Sequence, residues 1–366
     1  MRVYGEKSLH LQLSNSRIMS KRVLIIGAGG FIGGFIASES LKRGYETWCG
    51  VRESTSRRFL KDERLHFVTL DYDDSDKLGN ELVSALPEGE RWDYIVYNLG
   101  ATKCINYLDF NRINYQYLKT FVEVLQERGM VPERFVYMSS LSALGPGDEK
   151  DYTPLTGDMN PSPNTRYGVS KLKAEIALMG QPDSFPWIVL RPTGVYGPHE
   201  QDYLMMIKSI DAHWDFGVGF RKQMLTFIYV EDLARAVFDA LERGKVHKKY
   251  IISEPRAYSQ AEFRRIVARE LGRKLVIPVR LPLWAVKIAS VVAEKWGVAK
   301  MKPSTLNSDK YNIMKQRNWC CDTSDALNDF GFAAQVDLES GIRATVAAYR
   351  EQQRVDAERR KEEKKR

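Results

Sequence analysis

The sequence predicts an α/β fold: a doubly wound parallel sheet followed by a smaller C-terminal α/β lobe. Two observations carry this. Short apolar, branched runs alternate with helix-period segments from residue 21 onward. A glycine-rich turn then joins the first such run to the first helix, where a parallel sheet places its ligands, outside the carboxyl ends of its strands.

Arg22 to Ile26 is nearly all apolar and branched, which suits a buried parallel strand. Gly27, Gly30 and Gly33 follow it, and Phe35 to Gly44 reads as a helix closed by a glycine. Strand, glycine turn and helix together make a dinucleotide pyrophosphate site. Gly27 permits the sharp turn, Gly30 the approach of backbone to phosphate, and Gly33 close packing of helix on strand. Phe31 and Ile32 lie within this loop. A glycine triplet alone is weak; the strand before it and the helix after it make the signal specific.

Tyr45 to Val51 is the second strand, and the residue after it decides between cofactors. An acid there would bind a ribose 2′-OH, whereas arginine suits a 2′-phosphate. Arg52 has the position, and Ser54, Arg57 and Arg58 add donors, so the pattern favours NADP(H). Glu53, one residue late, keeps NAD as the alternative. Leu65 to Leu70 is a third strand, ending in Asp71, Tyr72, Asp73 and Asp74. Asp71 could contact the adenine edge, or the acidic cluster could cap the next helix. Trp92 to Tyr97 is the fourth strand, and Asn98, Leu99 and Gly100 after it let backbone lie against the cofactor. A helix from about Asp109 to Arg128 carries Asn114, and Arg134 to Met138 is the fifth strand.

Ser139 and Ser140 directly follow that strand, and Tyr167 opens a helical run with Lys171 four residues on. Residues four apart share a helix face, so an ammonium stands beside a phenol and favours the phenolate, lowering a pKa of about 10. Such a tyrosine serves as general acid or base on an alcohol or carbonyl, and Ser140 donates to the oxygen that gains charge. Tyr-x-x-x-Lys pairs are common on helix surfaces; this one follows a dinucleotide loop and a strand-end serine.

Together these residues resemble the extended branch of the short-chain dehydrogenase/reductase superfamily, from Lys21 to about Tyr349. The fold implied is Rossmann-type. The resemblance implies that Tyr167 transfers the proton, that Lys171 holds the nicotinamide ribose and tunes Tyr167, and that Asn114 supports the proton relay. The segment from Arg191 to Pro198 is similar to the one that runs past the nicotinamide, which assigns Pro192 and Val195 to the cofactor. Phe227 to Ala234 resembles the strand and helix that return to the nucleotide domain. Tyr117 replaces the usual small residue three positions after Asn114, and Gly100 stands where relatives have alanine. Val51-Arg52 and the segment around Trp284, Trp319 and Phe332 look like the dihydroflavonol-reductase and 3β-hydroxysteroid-dehydrogenase side of the branch. Nucleotide-sugar dehydratases carry Asp-Glu after their catalytic hydroxyl residue; Leu141 and Ser142 occupy those places here, which argues against water elimination. The implied activity is NADP(H)-dependent interconversion of a carbonyl and a secondary alcohol on a small-molecule substrate. A nucleotide-sugar epimerase is the alternative, and a non-catalytic dinucleotide binder a third reading. By analogy, relatives dimerise through helices that here carry Tyr115, Phe121 and Ile176, implying a homodimer.

The expected organisation is an extension or arm over residues 1–20, a nucleotide-binding domain over 21–198 plus 225–255, a substrate lobe over 199–224 plus 256–349, and a charged tail over 350–366. Met19 offers a second start just before the first strand. The formal charge is +8, but the tail alone has eight basic and five acidic residues. Such a mixed tail reads as a solvated helix end or disorder, not as a nucleic-acid site. Cys49, Cys104, Cys320 and Cys321 show no C-x-x-C spacing, so reduced thiols, no metal site and a cytoplasmic setting are expected. No apolar run reaches bilayer length. His199 could contact substrate but is expected in a solvent-facing loop; Arg221 and Lys222 could meet a phosphate or carboxylate of the substrate, although lone basic residues usually face water. His213, Trp214 and Phe216 could line a pocket, although aromatics in a small lobe more often form core. The apolar segment Leu283 to Trp296 reads as a helix packed on its own lobe, with cover for a greasy substrate or contact to a membrane surface as the other readings.

Overall fold

The computed structural model describes residues 20–363, so the expected arm before Ser20 and the possible start at Met19 lie outside the described residues. In β1 (Arg22–Ile26), Val23 to Ile26 are all fully buried. A strand apolar on both faces needs cover on both, which a two-sided α/β layer supplies. Helix α1 (Phe31–Lys42) begins four residues before Phe35, with Gly30 as its N-cap. β2 (Glu46–Val51), β3 (His66–Thr69), α2 (Ser75–Ser84) and β4 (Tyr94–Tyr97) follow. The Asp74 side chain caps α2, accepting from the Lys77 N–H at 2.9 Å.

The single helix expected from Asp109 to Arg128 is interrupted. α3 (Tyr107–Asn111) runs into a π-turn over Arg112–Gln116, and α4 (Tyr117–Glu127) resumes after it. Such a bulge rotates the residues it carries relative to a regular helix. Tyr117 closes the turn, stacks on Tyr72 at 5.3 Å and donates to Asp73 at 2.8 Å, so its bulk is housed rather than crowded.

Next come β5 (Arg134–Met138), α5 (Leu141–Leu144), α6 (Arg166–Met179), β6 (Trp187–Pro192) and β7 (Gly194–Tyr196). They are followed by α7 (Asp202–Asp211), β8 (Trp214–Val218), β9 (Met224–Leu225), β10 (Phe227–Tyr229), α8 (Val230–Arg243) and β11 (Lys248–Ile252). The last elements are β12 (Tyr258–Ser259), α9 (Gln260–Leu271), β13 (Ile277–Leu281), α10 (Leu283–Ala299), α11 (Ser308–Met314), α12 (Ser324–Phe330) and α13 (Leu338–Glu363).

Seven parallel strands form one sheet in the order β3-β2-β1-β4-β5-β6-β11, the doubly wound arrangement. One face packs on α1 and α8 through Ile36, Ala37, Val237 and Leu241; the other packs on α2, α4 and α6 through Leu78, Phe121, Leu125 and Leu178. A separate core, including Ile207, Phe227, Phe263 and Ile342, holds α7, β10, α9 and α13 together.

Three placements differ from the sequence expectation, while the charged tail takes the first of its two expected forms, a solvated helix end that continues α13 to Glu363. Ala326, Phe330 and Phe332 are buried with the sheet cluster, so α12 covers the nucleotide-domain side although it lies within 256–349. Phe121 is fully buried in the sheet's core and cannot line a dimer face, whereas Ile176 is exposed. Helix α10 forms but buries only Val286, Ser290 and Gly297 while Trp284, Ile288, Val292 and Trp296 are exposed, the reverse of a helix packed by its apolar face. Among the described residues no helix is long and apolar enough to cross a membrane.

Candidate active site

The glycine turn is sterically specified. Gly27 has φ +77°, and a Cβ there would meet the Leu99 Cα and N at 2.9 Å. A Cβ on Gly33 would stand 2.3 Å from the Gly27 carbonyl oxygen and 2.7 Å from the Ala28 Cα, so Gly33 serves the helix–strand contact and does not face the cavity. The Gly30 N–H donates to the Gly27 carbonyl at 3.2 Å. No side chain caps α1 and no acid sits in its first turn, leaving its N–H groups and positive dipole end for an anion.

A cavity of about 1240 Å³ opens from this turn. Gly27, Gly30, Phe31, Ile32, Arg52, Asn98, Leu99, Gly100, Ser140, Tyr167, Lys171, Pro192 and Val195 all line it. Residues from five strand ends and two helices thus converge on one space, as the chain order suggested. The turn and the uncapped helix suit a dinucleotide pyrophosphate, and the cavity continues past it to the tyrosine.

Asp71 does not join this space. Its carboxylate accepts from Lys77 Nζ at 3.0 Å and from the Asp73 N–H at 3.1 Å, and these bonds hold its pKa below the usual range. The neighbouring Tyr72, in the turn after β3, lines the cavity instead, stacked on Tyr117 at 5.3 Å. At the end of β2, Arg52, Ser54, Thr55, Ser56 and Arg58 line the cavity and Glu53 does not. The Thr55 Oγ1 accepts from the Arg52 N–H at 3.0 Å and fixes this loop. Arg57 lies over the Phe67 ring at 4.1 Å, so it supplies packing and no donor to the cavity.

Asn114 is fully buried behind the cavity wall. On the π-turn its amide grips Ala101 from both sides: its Oδ1 accepts from the Ala101 N–H at 2.7 Å and its Nδ2 donates to the Ala101 carbonyl at 3.0 Å. The Nδ2 also donates to Ser170 Oγ at 2.9 Å, and Ser170 Oγ–H donates to the Tyr167 carbonyl at 2.7 Å. Asn114 therefore ties the loop after β4 to the first turn of α6, which carries the tyrosine.

Ser140 caps α5, its Oγ accepting from the Ser142 N–H at 3.2 Å. Burial pushes the Tyr167 phenol up to about 12, and the Ser140 hydroxyl acts against that rise. Lys171 Nζ donates to the Met138 carbonyl at 2.8 Å and stands 4.9 Å from the Tyr137 ring centroid. Burial lowers Lys171 to about 7, with the Glu175 carboxylate opposing. The expectation that Lys171 draws the Tyr167 pKa down is therefore corrected: burial raises the phenol and lowers the lysine. Desolvation dominates both groups, and the lysine's charge is itself marginal at neutral pH.

Sequence reasoning missed the support beneath these residues. Ser139 Oγ–H donates to Glu175 at 2.5 Å, and Glu175 receives a two-pronged bond from Arg191 at 3.0 and 2.6 Å. Arg191 also donates to the Gly157 carbonyl at 3.0 Å, and its side chain is 0% exposed. Glu175 lies one helical turn beyond Lys171, which was the available signal: an acid on the inward face of α6.

Beyond Tyr167 the cavity is largely apolar, with Met205, Met206, Ile210, Leu225, Leu306 and Met314. Two lysines stand there, and both are engaged: Lys103 and Lys310 pair with Asp202 at 2.5 and 3.1 Å. Burial acts to raise the Asp202 pKa, but the two lysines outweigh it and hold it below the usual value. His199 is exposed in the loop after β7, as expected, and also lines the cavity against Phe59 at 5.0 Å; partial burial and then Arg58 lower its pKa. Trp214 and Phe216 are exposed at the cavity rim and do not form lobe core. Arg221 and Lys222 stay outside the cavity, and Arg221 pairs with Glu149.

Residues 23–253 match the model of the NAD dependent epimerase/dehydratase family. The chain is 25% identical over 331 residues to a ceramide reductase of Caulobacter vibrioides, covering 90% of this chain and 94% of that protein. It is 22% identical over 348 residues to the dTDP-D-glucose 4,6-dehydratase of Homo sapiens, covering 91% of each. Among solved structures, UDP-glucose 4-epimerase from Thermotoga maritima, with UDP-glucose, superposes with a TM-score of 0.71 at 19% identity, over 90% of this chain and 99% of that one. The Bordetella bronchiseptica enzyme WbmG in complex with NAD gives 0.71 at 20%, over 92% and 96%. Fold, glycine turn and family model agree: the chain belongs to the NAD dependent epimerase/dehydratase family, the extended branch of the short-chain dehydrogenases/reductases.

Proposed function

We propose that the protein is an NADP(H)-dependent oxidoreductase that interconverts a carbonyl and a secondary alcohol on an apolar substrate, with Tyr167 as general acid/base. The observation that carries this is the cavity itself: Tyr167, Ser140 and Lys171 line the same space as the glycine turn, and methionine, leucine and isoleucine line it together with polar residues such as Asp202, Gln223 and Lys310. When bound, the reduced nicotinamide supplies hydride. In the reducing direction Tyr167 O–H gives its proton to the substrate oxygen, and Ser140 Oγ–H donates a hydrogen bond to that oxygen as it gains charge. Lys171 in its ammonium form stabilises the phenolate left behind, and Asn114 holds the backbone of Tyr167 in place.

NADP is supported by Arg52, Ser54 and Arg58 at the end of β2, with Glu53 turned out of the cavity. An apolar substrate is supported by the lining and by Asp202 engaging both lysines of the substrate end, which leaves little free positive charge for a sugar-nucleotide diphosphate. The similarity to a protein named ceramide reductase points the same way. The relatives named as epimerases and dehydratases favour the second reading, a nucleotide-sugar epimerase, in which hydride leaves and returns in one turnover.

The test is NADPH consumption with long-chain ketones and with UDP-glucose, using the wild type and Tyr167→Phe. Net oxidation of NADPH by an apolar ketone, reduced by about 10²–10⁴ in the variant while NADPH still binds, supports the reading. Conversion of a nucleotide sugar without net NADPH change would replace it with the epimerase. A variant as active as wild type would remove Tyr167 from the chemistry.

A further inference from the structure

The substrate lobe carries an apolar surface that is built inside out. β8 and β13 pair in parallel, setting Trp214 beside Ile277, Phe216 beside Val279 and Val218 beside Leu281. Partners in register share a face. Trp214, Phe216, Ile277 and Leu281 are exposed on that face, and the Trp214 and Phe216 rings stack at 6.3 Å. The other face is polar and turned inward: Asp215 is buried, paired with Arg264 at 3.1 Å and bonded to Gln260 at 3.1 Å. Pro282 then leads directly into α10, which repeats the inversion. Its buried side is Val286, Ser290 and Gly297, and its exposed side is Trp284, Ile288, Val292 and Trp296, recurring at helical spacing.

Charge distinguishes what could cover this surface. From residue 273 to 304 the chain has seven basic residues and one acid. The acid, Glu294, is turned inward to Ser308 and Arg166. Lys287, Lys295, Lys300 and Lys302 border the exposed tryptophans, and none forms an ion pair among the described residues. Lys300 Nζ stands 4.8 Å from the Trp296 ring centroid, close enough to follow that ring into an interface. A second copy of this face would bring lysine against lysine. A surface that is apolar within and negative at its edge satisfies both features, and tryptophan with lysine is the pairing that suits the headgroup layer.

We propose that the face formed by the β8–β13 ribbon and α10 rests on an anionic lipid bilayer. The active-site cavity reaches the same surface: Trp214 and Phe216 line its rim, and the loop at 302–306 gives Pro303 and Ser304 to the groove beside α10 and Thr305 and Leu306 to the cavity. An apolar substrate held in a membrane would thus enter without crossing water. The docking claim is independent of the reaction assigned above, since it is read by binding alone.

Flotation of the full chain with phosphatidylcholine vesicles, and with vesicles of phosphatidylcholine and phosphatidylglycerol, tests it. The protein is expected to float with the mixed vesicles, weakly with the neutral ones, and less as salt rises. Trp284→Ser/Trp296→Ser, neither residue lining the cavity, is expected to weaken vesicle binding about tenfold or more while NADPH binding is kept. Lys287→Glu/Lys295→Glu is expected to erase the preference for anionic lipid. Failure to float with the mixed vesicles overturns the proposal, as does undiminished flotation of the tryptophan variant. A wild-type dimer that the tryptophan substitutions convert to monomer overturns it also, assigning the face to a second copy.

Discussion

A Cβ placed on Gly100 would stand 2.9 Å from Lys171 Nζ and 3.2 Å from Asn114 Oδ1. A methyl there would press on the terminal amine of Lys171, which must shift to admit it. Gly100→Ala is expected to push Lys171 off the Met138 carbonyl and to lower turnover by about tenfold, with thermal stability changed little. Steady-state kinetics beside a melting curve checks this; an unchanged rate would show that the lysine has room to move.

Protonation of Lys171 sets a second expectation. Its folded pKa of about 7 means that the ammonium is lost as pH rises through neutrality in the free enzyme. Reduction should then show kcat/KM falling above about pH 7, a limb that Lys171→Arg removes even if the overall rate is lower. Retention of the limb in the arginine variant would assign it elsewhere. The stability sign follows from the same displacement. Between about 7 and the ordinary 10.5 the unfolded chain binds a proton that the folded chain does not, so this group makes stability rise with pH across that window. Urea midpoints for wild type and Lys171→Met, measured through that range, should converge toward its upper end.

Arg52 tests the cofactor assignment. Arg52→Asp should weaken NADPH binding by about tenfold or more and leave NADH nearly unchanged, read by fluorescence titration of each cofactor. Equal losses would mean that Arg52 acts through the loop it shares with Thr55.

The Glu175–Arg191 pair is buried on both sides, so removing one partner strands the other. Arg191→Met is expected to destabilise the fold by about 3–5 kcal/mol. The double variant Glu175→Leu/Arg191→Met should recover part of that loss in chemical denaturation. If the double variant is worse than the single one, the pair is held for its bond to Ser139 and not merely for charge balance.

The sequence made the sheet legible because its strands are short, apolar on both faces and punctuated by glycine. It made the centre of the site legible because Gly27, Tyr167 and Lys171 act through spacing along one element. What it hid depends on contacts between elements. The π-turn that aims Asn114 follows from closing on Ala101 and Ser170, and no local periodicity announces it. Arg191 was visible only as the residue before Pro192; its partner lies across the sheet layer. Asp71 was favoured by its charge, but Lys77 and the Asp73 N–H engage its carboxylate and Tyr72 takes the place. Trp214, Phe216 and α10 misled because aromatic and aliphatic content implies burial, and here the polar faces took the inside.

The order in which the sheet is finished bears on biosynthesis. Its last strand, β11, emerges near residue 252, and α12, which shields β11 and α8, emerges only near residue 330. A growing chain therefore carries that apolar face of β11 and α8 uncovered through some eighty further residues of translation. Nascent molecules halted in that interval are the ones most exposed to wrong apolar contacts and most in need of a chaperone.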